Sequence, residues 1–518
     1  MSEEKELPRG WTNGKLEDFC TIIMGQSPPS SEYNENGEGL PFFQGKAEFT
    51  DLFPKVRKWC TAPTKIAEAE DILLSVRAPV GPTNLAPSLC CVGRGLAAIR
   101  PAKNIQVRYV LYAIRAYNSS LTELGTGTTF AAISGDDVRA FEIPLAPSPE
   151  QIRIVSAIEQ QFSRLDAGVA ALQRAKAKLK RYRAAVLKAA VEGKLTETWR
   201  AEYPTTEPSS LARKRILALV GEKSSNVNDK RRLWGAGHVT GILDEASSTL
   251  PTTWELCKVR NLGHDSDNVV QIGPMSMKSS EFMPEGVPVL NVGCVKWGYF
   301  DLSKLDFLPL ELATKFNRYR VKAGDVIFTR SGTVGRCAII DKDKDNWLMT
   351  FHLLRVRVDV RICLPEYLMY VFEGFPPVRA QITSASIGST RAGFNTRLLE
   401  ELDIPLPPLQ EQEQIIAEIA QRLSIITALE NTIEANLKRA ERLRQSILHE
   451  AFSGRLVPQD PTDEPASVLL ERIRNGRNGQ KNNIEASIKK NRSVKLPESV
   501  AIDVVEVEQT ELWESVGN

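Results

Sequence analysis

Apolar residues recur every seven positions along two stretches of this chain. Leu165, Leu172, Leu179 and Val186 keep that step, with Ile158 one step earlier. Ile419, Ile426, Ile433, Ala440 and Ile447 repeat it further on, with Leu429 and Leu443 between them. Sustained heptads of this kind predict a coiled-coil seam between long helices. Glu150 to Lys194 holds no proline, and Gly168 is its only glycine before Gly193. Pro149 suits a first helical position. Gly193 and Gly454 suit left-handed residues just past the two helix ends. At about 1.5 Å per residue, each helix would be a rod of roughly 66 Å.

Outside these stretches the pattern changes. Short apolar runs such as "DILLSV", "DVIFTR" and "CAII" alternate with Gly, Pro, Ser and Asn. That texture predicts β-rich mixed modules with many loops. The expected organisation is a module over 1–148, a spacer helix over 149–195 and a linker over 196–249. A second module over 250–408, a second spacer helix over 409–456 and a partly disordered C-terminal tail over 457–518 complete the chain.

The chain repeats itself. "EIPLAPSPEQIRIVSAI" at Glu142 returns as "DIPLPPLQEQEQIIAEI" at Asp403. An offset of 261 residues carries Ile143 onto Ile404 and holds without a gap to Leu195 and Leu456, with about a third of the positions identical. Upstream, "AEDILLSVRAPVG" faces "AGDVIFTRSGTVG" at an offset of 254, and "LPRGW" at Leu7 matches "LPTTW" at Leu250. Downstream, "EPSSLARKRI" at Glu207 resembles "EPASVLLERI" at Glu464. The offset is fixed in the helix and drifts in the module. Two similar units in one chain favour a pseudo-two-fold arrangement, which makes the two helices antiparallel. The fold class expected is therefore mixed α/β (α+β): two β-rich globular modules separated by two long helices in an antiparallel coiled coil, as an internal repeat.

Composition narrows the function. A chain of 518 residues exceeds one core, and a net charge of +2 announces no global attraction to polyanions. Charge is local instead. Glu150 to Leu195 carries ten basic and four acidic residues, a net of +6, whereas Glu411 to Leu456 nets −1. The basic run "QRAKAKLKRYR" is read as a solvated face, a surface paired with the second helix, or a phosphate contact. The start "MSEEKELPRGW" lacks the apolar core of a secretory signal, and no apolar run approaches a membrane span. The eight cysteines form no CxxC and read as reduced buried thiols; the four histidines form no metal cluster.

Catalytic motifs are missing. "GLPFFQGKA" has the wrong spacing for a phosphate loop, and no G-x-S-x-G or H-E-x-x-H appears. No Pro-Pro pair has the Asn/Asp before it and the aromatic after it that an adenine methyltransferase would show. The polar loops of the modules carry side chains suited to base edges and phosphates. In the first module these are Gln26 and Ser27, Gln44 and Lys46, Arg77, and Thr126, Thr128 and Thr129. In the second they are Asn291 and Lys296, Arg330, Ser331 and Thr333, and Ser389, Thr390 and Arg391.

Two divergent modules, each with a repeated helix after it, resemble the specificity (S) subunit of type I restriction–modification enzymes. "IPLPPLQEQEQII" and "ILHEAFSGRL" carry the resemblance most specifically, and it covers about residues 7–475. The first copy departs from the pattern with Ala146 and "SPEQIRI". The resemblance implies that each module is a target-recognition domain for one half of a split double-stranded DNA site. It implies that the helices fix the spacing and dock two methyltransferase (modification) subunits, with restriction and motor subunits joining the same core. Leu165, Leu172, Leu179, Val186, Ile426, Ile433, Leu443 and Ile447 would form the coiled coil and docking surface. The chain itself would be non-catalytic, prokaryotic and cytoplasmic, with no membrane partner and no cofactor or metal. S-adenosylmethionine, ATP and Mg would bind only the partner subunits. The rival readings are a coiled-coil scaffold without DNA specificity and a stand-alone DNA methyltransferase.

Overall fold

The computed structural model describes residues 7–125, 131–204, 206–214, 250–263, 269–386 and 394–477. The chain divides into two compact units. One holds Met1–Val169 with Lys438–Asn518, and the other holds Ala170–Leu437. Each unit thus takes one globular module and part of each long helix.

In the first unit a four-stranded antiparallel sheet runs in the order Cys20–Met24, Leu96–Pro101, Ile72–Ser75, Thr83–Leu85. Ile72–Ser75 is buried at every position, which explains the unbroken apolar run. A second, five-stranded sheet contains Leu40–Phe43 parallel to Cys90–Val92. The second unit repeats the four-stranded order with Val270–Ile272, Leu353–Val356, Val326–Thr329 and Cys337–Ile339. There Val287–Leu290 runs parallel to Leu348–Met349. All eight cysteines are buried and unbridged, and burial raises the Cys90 and Cys257 thiols to about 12.

The repeated Ile-Pro-Leu segments close the modules. Glu142–Leu145 pairs antiparallel with Thr12–Lys15, and Asp403–Leu406 pairs in the same way with Glu255–Lys258. A buried tyrosine seals each joint: Tyr109 donates to Pro144 O at 3.0 Å and Tyr367 to Pro405 O at 2.8 Å. The glutamine of the repeated "EQ" clamps the helix start onto its module. Gln151 donates to Ala146 O and accepts from Gln106 N, and Gln412 donates to Pro407 O and accepts from Leu364 N.

The two long helices span Ser148–Val191 and Leu409–Phe452. Both end as the glycines predict. Gly193 and Gly454 have φ of +75° and +71°. Lys194 N bonds to Ala189 O and Arg455 N to Glu450 O, the six-residue closure of a Schellman cap. Pro149 is the second helical residue rather than the first. In the first unit Arg444 pairs with Asp166 and lies over the Phe162 ring; in the second Lys176 pairs with Glu434 at 2.8 Å. Within the second unit Tyr182 bonds to Arg422 as Lys176 pairs with Glu434, so the first helix's numbers rise as the second's fall and the two segments there run antiparallel.

Ile158, Val186, Ile426, Ile433 and Ala440 are buried, and Leu165, Leu172, Leu179 and Ile447 are half-buried. Two helices alone cannot enclose a seam fully. Leu443, expected in that seam, is 43% exposed, as is Leu429 at 47%. In the second helix the residues three positions past the buried row, Leu429 and Leu443, point to its flank, whereas those four positions on, Leu423 and Leu437 among them, are half-buried. The linker and tail are also partly ordered. Glu197–Glu202 is helical, and Leu469 and Leu470 are buried in the first unit's core. The rest of the tail, 478–518, lies outside the described residues.

Candidate nucleic-acid interface

The candidate residues of the first module gather where strand ends meet. Gln26 lies just past the strand Cys20–Met24, Gln44 past Leu40–Phe43, and Arg77 past Ile72–Ser75. Backbone bonds tie these ends together. Gly25 N donates to Leu96 O at 2.9 Å, Gln26 N to Val92 O at 3.0 Å, and Gly93 N to Phe43 O at 2.8 Å. The crossing is so close that a Cβ on Gly25 would stand 2.3 Å from Gly93 O, so only glycine fits. Gln26, Gln44, Lys46 and Arg77 are exposed there, and Ser27 is half-buried. Ser27 Oγ accepts from Arg94 N at 3.2 Å.

The second module builds the same crossing. Gly273 N donates to Leu353 O at 3.2 Å and Thr350 N to Leu290 O at 2.9 Å. A Cβ on Gly273 would stand 2.2 Å from Thr350 O. The polar loop after the third sheet strand is pinned alike in both. Gly81 N bonds to Ser75 O and Gly335 N to Thr329 O, both at 2.9 Å. Ser75 Oγ donates to Pro79 O at 2.9 Å and Thr329 Oγ1 to Thr333 O at 2.5 Å. These loops are preformed, which lowers the ordering cost of binding.

Sequence-expected residues differ in availability. Arg77 is exposed, and its guanidinium makes no hydrogen bond or ion pair among the described residues. Asn291 is not offered to a ligand. Its amide donates to Lys304 O and Asp306 and accepts from Gly293 N and Cys294 N. Lys296 faces Asp301 at 3.6 Å. Arg330 is half-buried and reaches Phe351 O at 3.4 Å, while Thr333 is exposed. Ser331 Oγ lies 3.0 Å from His352 Nδ1. Partial burial and the Arg330 charge hold the His352 pKa below its ordinary value. Thr126, Thr128, Thr129, Ser389, Thr390 and Arg391 lie outside the described residues.

Other arginines are committed to the scaffold. Arg100 grips buried Asp71 through two nitrogens, and Arg357 grips buried Asp325 in the same way. The bond to Asp71 raises the Arg100 pKa. Two exposed residues at the crossings were not singled out in the sequence: Arg94 and His352. Each sits in a short interruption of a largely apolar run, "CCVGRGLAAI" and "LMTFHLLRV", and that interruption was the available signal. No group of His, Cys, Asp and Glu among the described residues could hold a metal ion. None of their helices is long and apolar enough to cross a membrane.

Residues 8–179 and 267–439 each match the family model of the type I restriction modification DNA specificity domain. The MjaX type I restriction enzyme specificity subunit of Methanocaldococcus jannaschii is 39% identical over 197 residues, 38% of this chain and 45% of that protein. Against that relative the chain spans less than half its length. The EcoKI type I restriction enzyme specificity subunit of Escherichia coli is 25% identical over 499 residues, 90% of this chain and 96% of that protein. The crystal structure of the HsdS subunit from Thermoanaerobacter tengcongensis is 47% identical over 33% of this chain and 41% of that one, with a TM-score of 0.29.

Proposed function

The chain belongs to the family defined by the type I restriction–modification DNA specificity domain and carries that domain twice, and on that premise we propose that each unit reads one half of a split double-stranded DNA target. The observation that carries this reading is the repeated loop crossing. Both modules hold the same backbone frame at Gly25 and Gly273. They present different side chains from it, as two readers of different sequences must.

The long helices take the constant role. Their heptad spacing and capped ends are alike in both copies, whereas Leu429, Leu443, Ile425 and Tyr182 stand exposed. These apolar residues suit docking of two methyltransferase subunits, with restriction and motor subunits joining that assembly. In this reading S-adenosylmethionine, ATP and magnesium are held by the partners, in a prokaryotic cytoplasm, and the transferred methyl group goes to adenine. Neither rival reading is favoured by any observation of the sites.

The test is methylation mapping with the chain and its methyltransferase partner mixed, against the chain alone. The mixture should mark adenines within one bipartite sequence, and the chain alone should mark none. A continuous target, or methyl transfer by the chain alone, would overturn the reading.

A further inference from the structure

Two turns occupy the same place in the two frames. In the first unit Leu96 N closes on Gly93 O at 2.9 Å, with Arg94 and Gly95 at the centre. In the second Leu353 N closes on Thr350 O at 3.0 Å, with Phe351 and His352 at the centre. The neighbouring loop is pinned to each turn identically: Val76 N donates to Gly95 O and Arg330 N to His352 O, both at 3.0 Å. Two copies within one chain have kept the turn and replaced what it presents. The backbone bonds hold the turn whatever it carries, so its exposed side chains can differ between the two units, Arg94 at the first central position of one and His352 at the second of the other.

The side chains are also available. Arg94 is exposed, its backbone is tethered by Ser27, and its guanidinium makes no hydrogen bond or ion pair among the described residues. Such a fork matches the two acceptors of guanine, O6 and N7. His352 is exposed, its ring lies 3.7 Å from the Phe351 ring centroid, and Ser331 Oγ fixes Nδ1. With the Ser331 hydroxyl as donor to Nδ1, the ring proton sits on Nε2, the tautomer this assignment uses.

We propose that these turns are the base-reading edges of the two units: Arg94 takes a guanine of one half-site, and His352 donates through Nε2 to one base acceptor of the other, with Ser331 as its positioning residue. This deepens the proposed function and rests on it.

The experiment uses the full chain assembled with its methyltransferase partner and duplexes carrying every single-base change in each half-site. Arg94→Lys keeps the charge and loses the fork. It should retain affinity for the best sequence within a few fold and lower discrimination at one guanine by about 5- to 150-fold. The other half-site should read as before. His352→Ala should relax one position of that other half-site. Ser331→Ala should do so in part, and Ser331→Thr, which keeps the hydroxyl, should restore it. Equal weakening on all duplexes would make Arg94 a phosphate contact and overturn the assignment. So would unchanged discrimination in Arg94→Lys and His352→Ala. If the unsubstituted assembly itself shows no bipartite preference, the DNA-specificity reading fails instead.

Discussion

The Trp11 indole donates to Glu150 Oε2 at 3.0 Å in the buried joint between the first module and its helix. The second copy repeats the bond, Trp254 to Glu411 at 2.8 Å. The repeated Leu-Pro-x-x-Trp and Pro-x-x-Glu-Gln segments build this joint. The copies part at the second carboxylate oxygen. Glu411 Oε1 accepts from Thr196 Oγ1 and Arg200. Glu150 Oε1 is buried and has no protein partner.

Glu150→Gln should therefore behave unlike Glu411→Gln. Burial pushes the Glu150 pKa up, and the Trp11 bond only partly opposes it. A raised carboxyl favours the protonated form in the fold, so its stabilisation is full below the unfolded value of about 4.3. It is then lost as pH rises through the folded value. Glu150→Gln should remove that decline and cost no more than about 1 kcal/mol at neutral pH. Glu411→Gln takes the carboxylate from Arg200, which keeps only its bonds to Gly193 O and Thr196 Oγ1, and should cost about 2–3 kcal/mol. Thermal melts of the full chain from pH 4 to 8 decide it; equal costs would show that the partner inventory is not what separates the two copies.

The helix seam predicts a different contrast. Ile433 is 7% exposed and Leu443 is 43% exposed. Ile433→Ala should cost about 2–3 kcal/mol in denaturant unfolding, and Leu443→Ala within about 0.5 kcal/mol. If the exposed flank docks methyltransferase subunits, Leu443→Asp should lose partner binding in size-exclusion runs while melting as the parent chain does. Full assembly by that variant would remove Leu443 from the docking surface.

At the loop crossings, Gly25→Ala and Gly273→Ala each drive a Cβ into a backbone oxygen, 2.3 Å and 2.2 Å away. The turn behind must shift, at about 1–3 kcal/mol. Each substitution should degrade discrimination in one half-site and spare the other. A pair of variants that both damage the same half-site would contradict one reader per unit.

The helices were legible because their signals are local: heptads, and a terminal glycine that needs φ > 0. The Glu-Gln motif was visible as a repeat but silent about its purpose. Trp11 meets Glu150 across 139 residues of sequence, a pairing only the folded module sets up. Loop polarity located Gln26, Gln44 and Arg77 at the crossing, yet it could not rank Asn291. That amide looks free in the sequence and is spent on Lys304, Asp306, Gly293 and Cys294. Arg94 escaped notice because its turn interrupts a buried cysteine- and valine-rich run that reads as core.

Each long helix lends a part to each unit, and the helices carry the gap-free register of the repeat. If they set the spacing between half-sites, inserting four residues after Ala175 should change it. Four residues lengthen a helix by about 6 Å and rotate its C-terminal half by about 40°. At about 3.4 Å per base pair, that corresponds to one or two additional base pairs of spacer. Recognition turns are untouched, so the two half-site sequences should persist. Ala175 is half-buried between Lys176, which pairs with Glu434, and the solvated Arg174. The insertion point itself thus falls beside one ion pair and at no fully buried residue. Genome-wide methylation mapping of the insertion variant reads both quantities at once. An unchanged spacer with full activity would mean that the helices do not act as the ruler, and the spacing would have to be sought in the partner subunits.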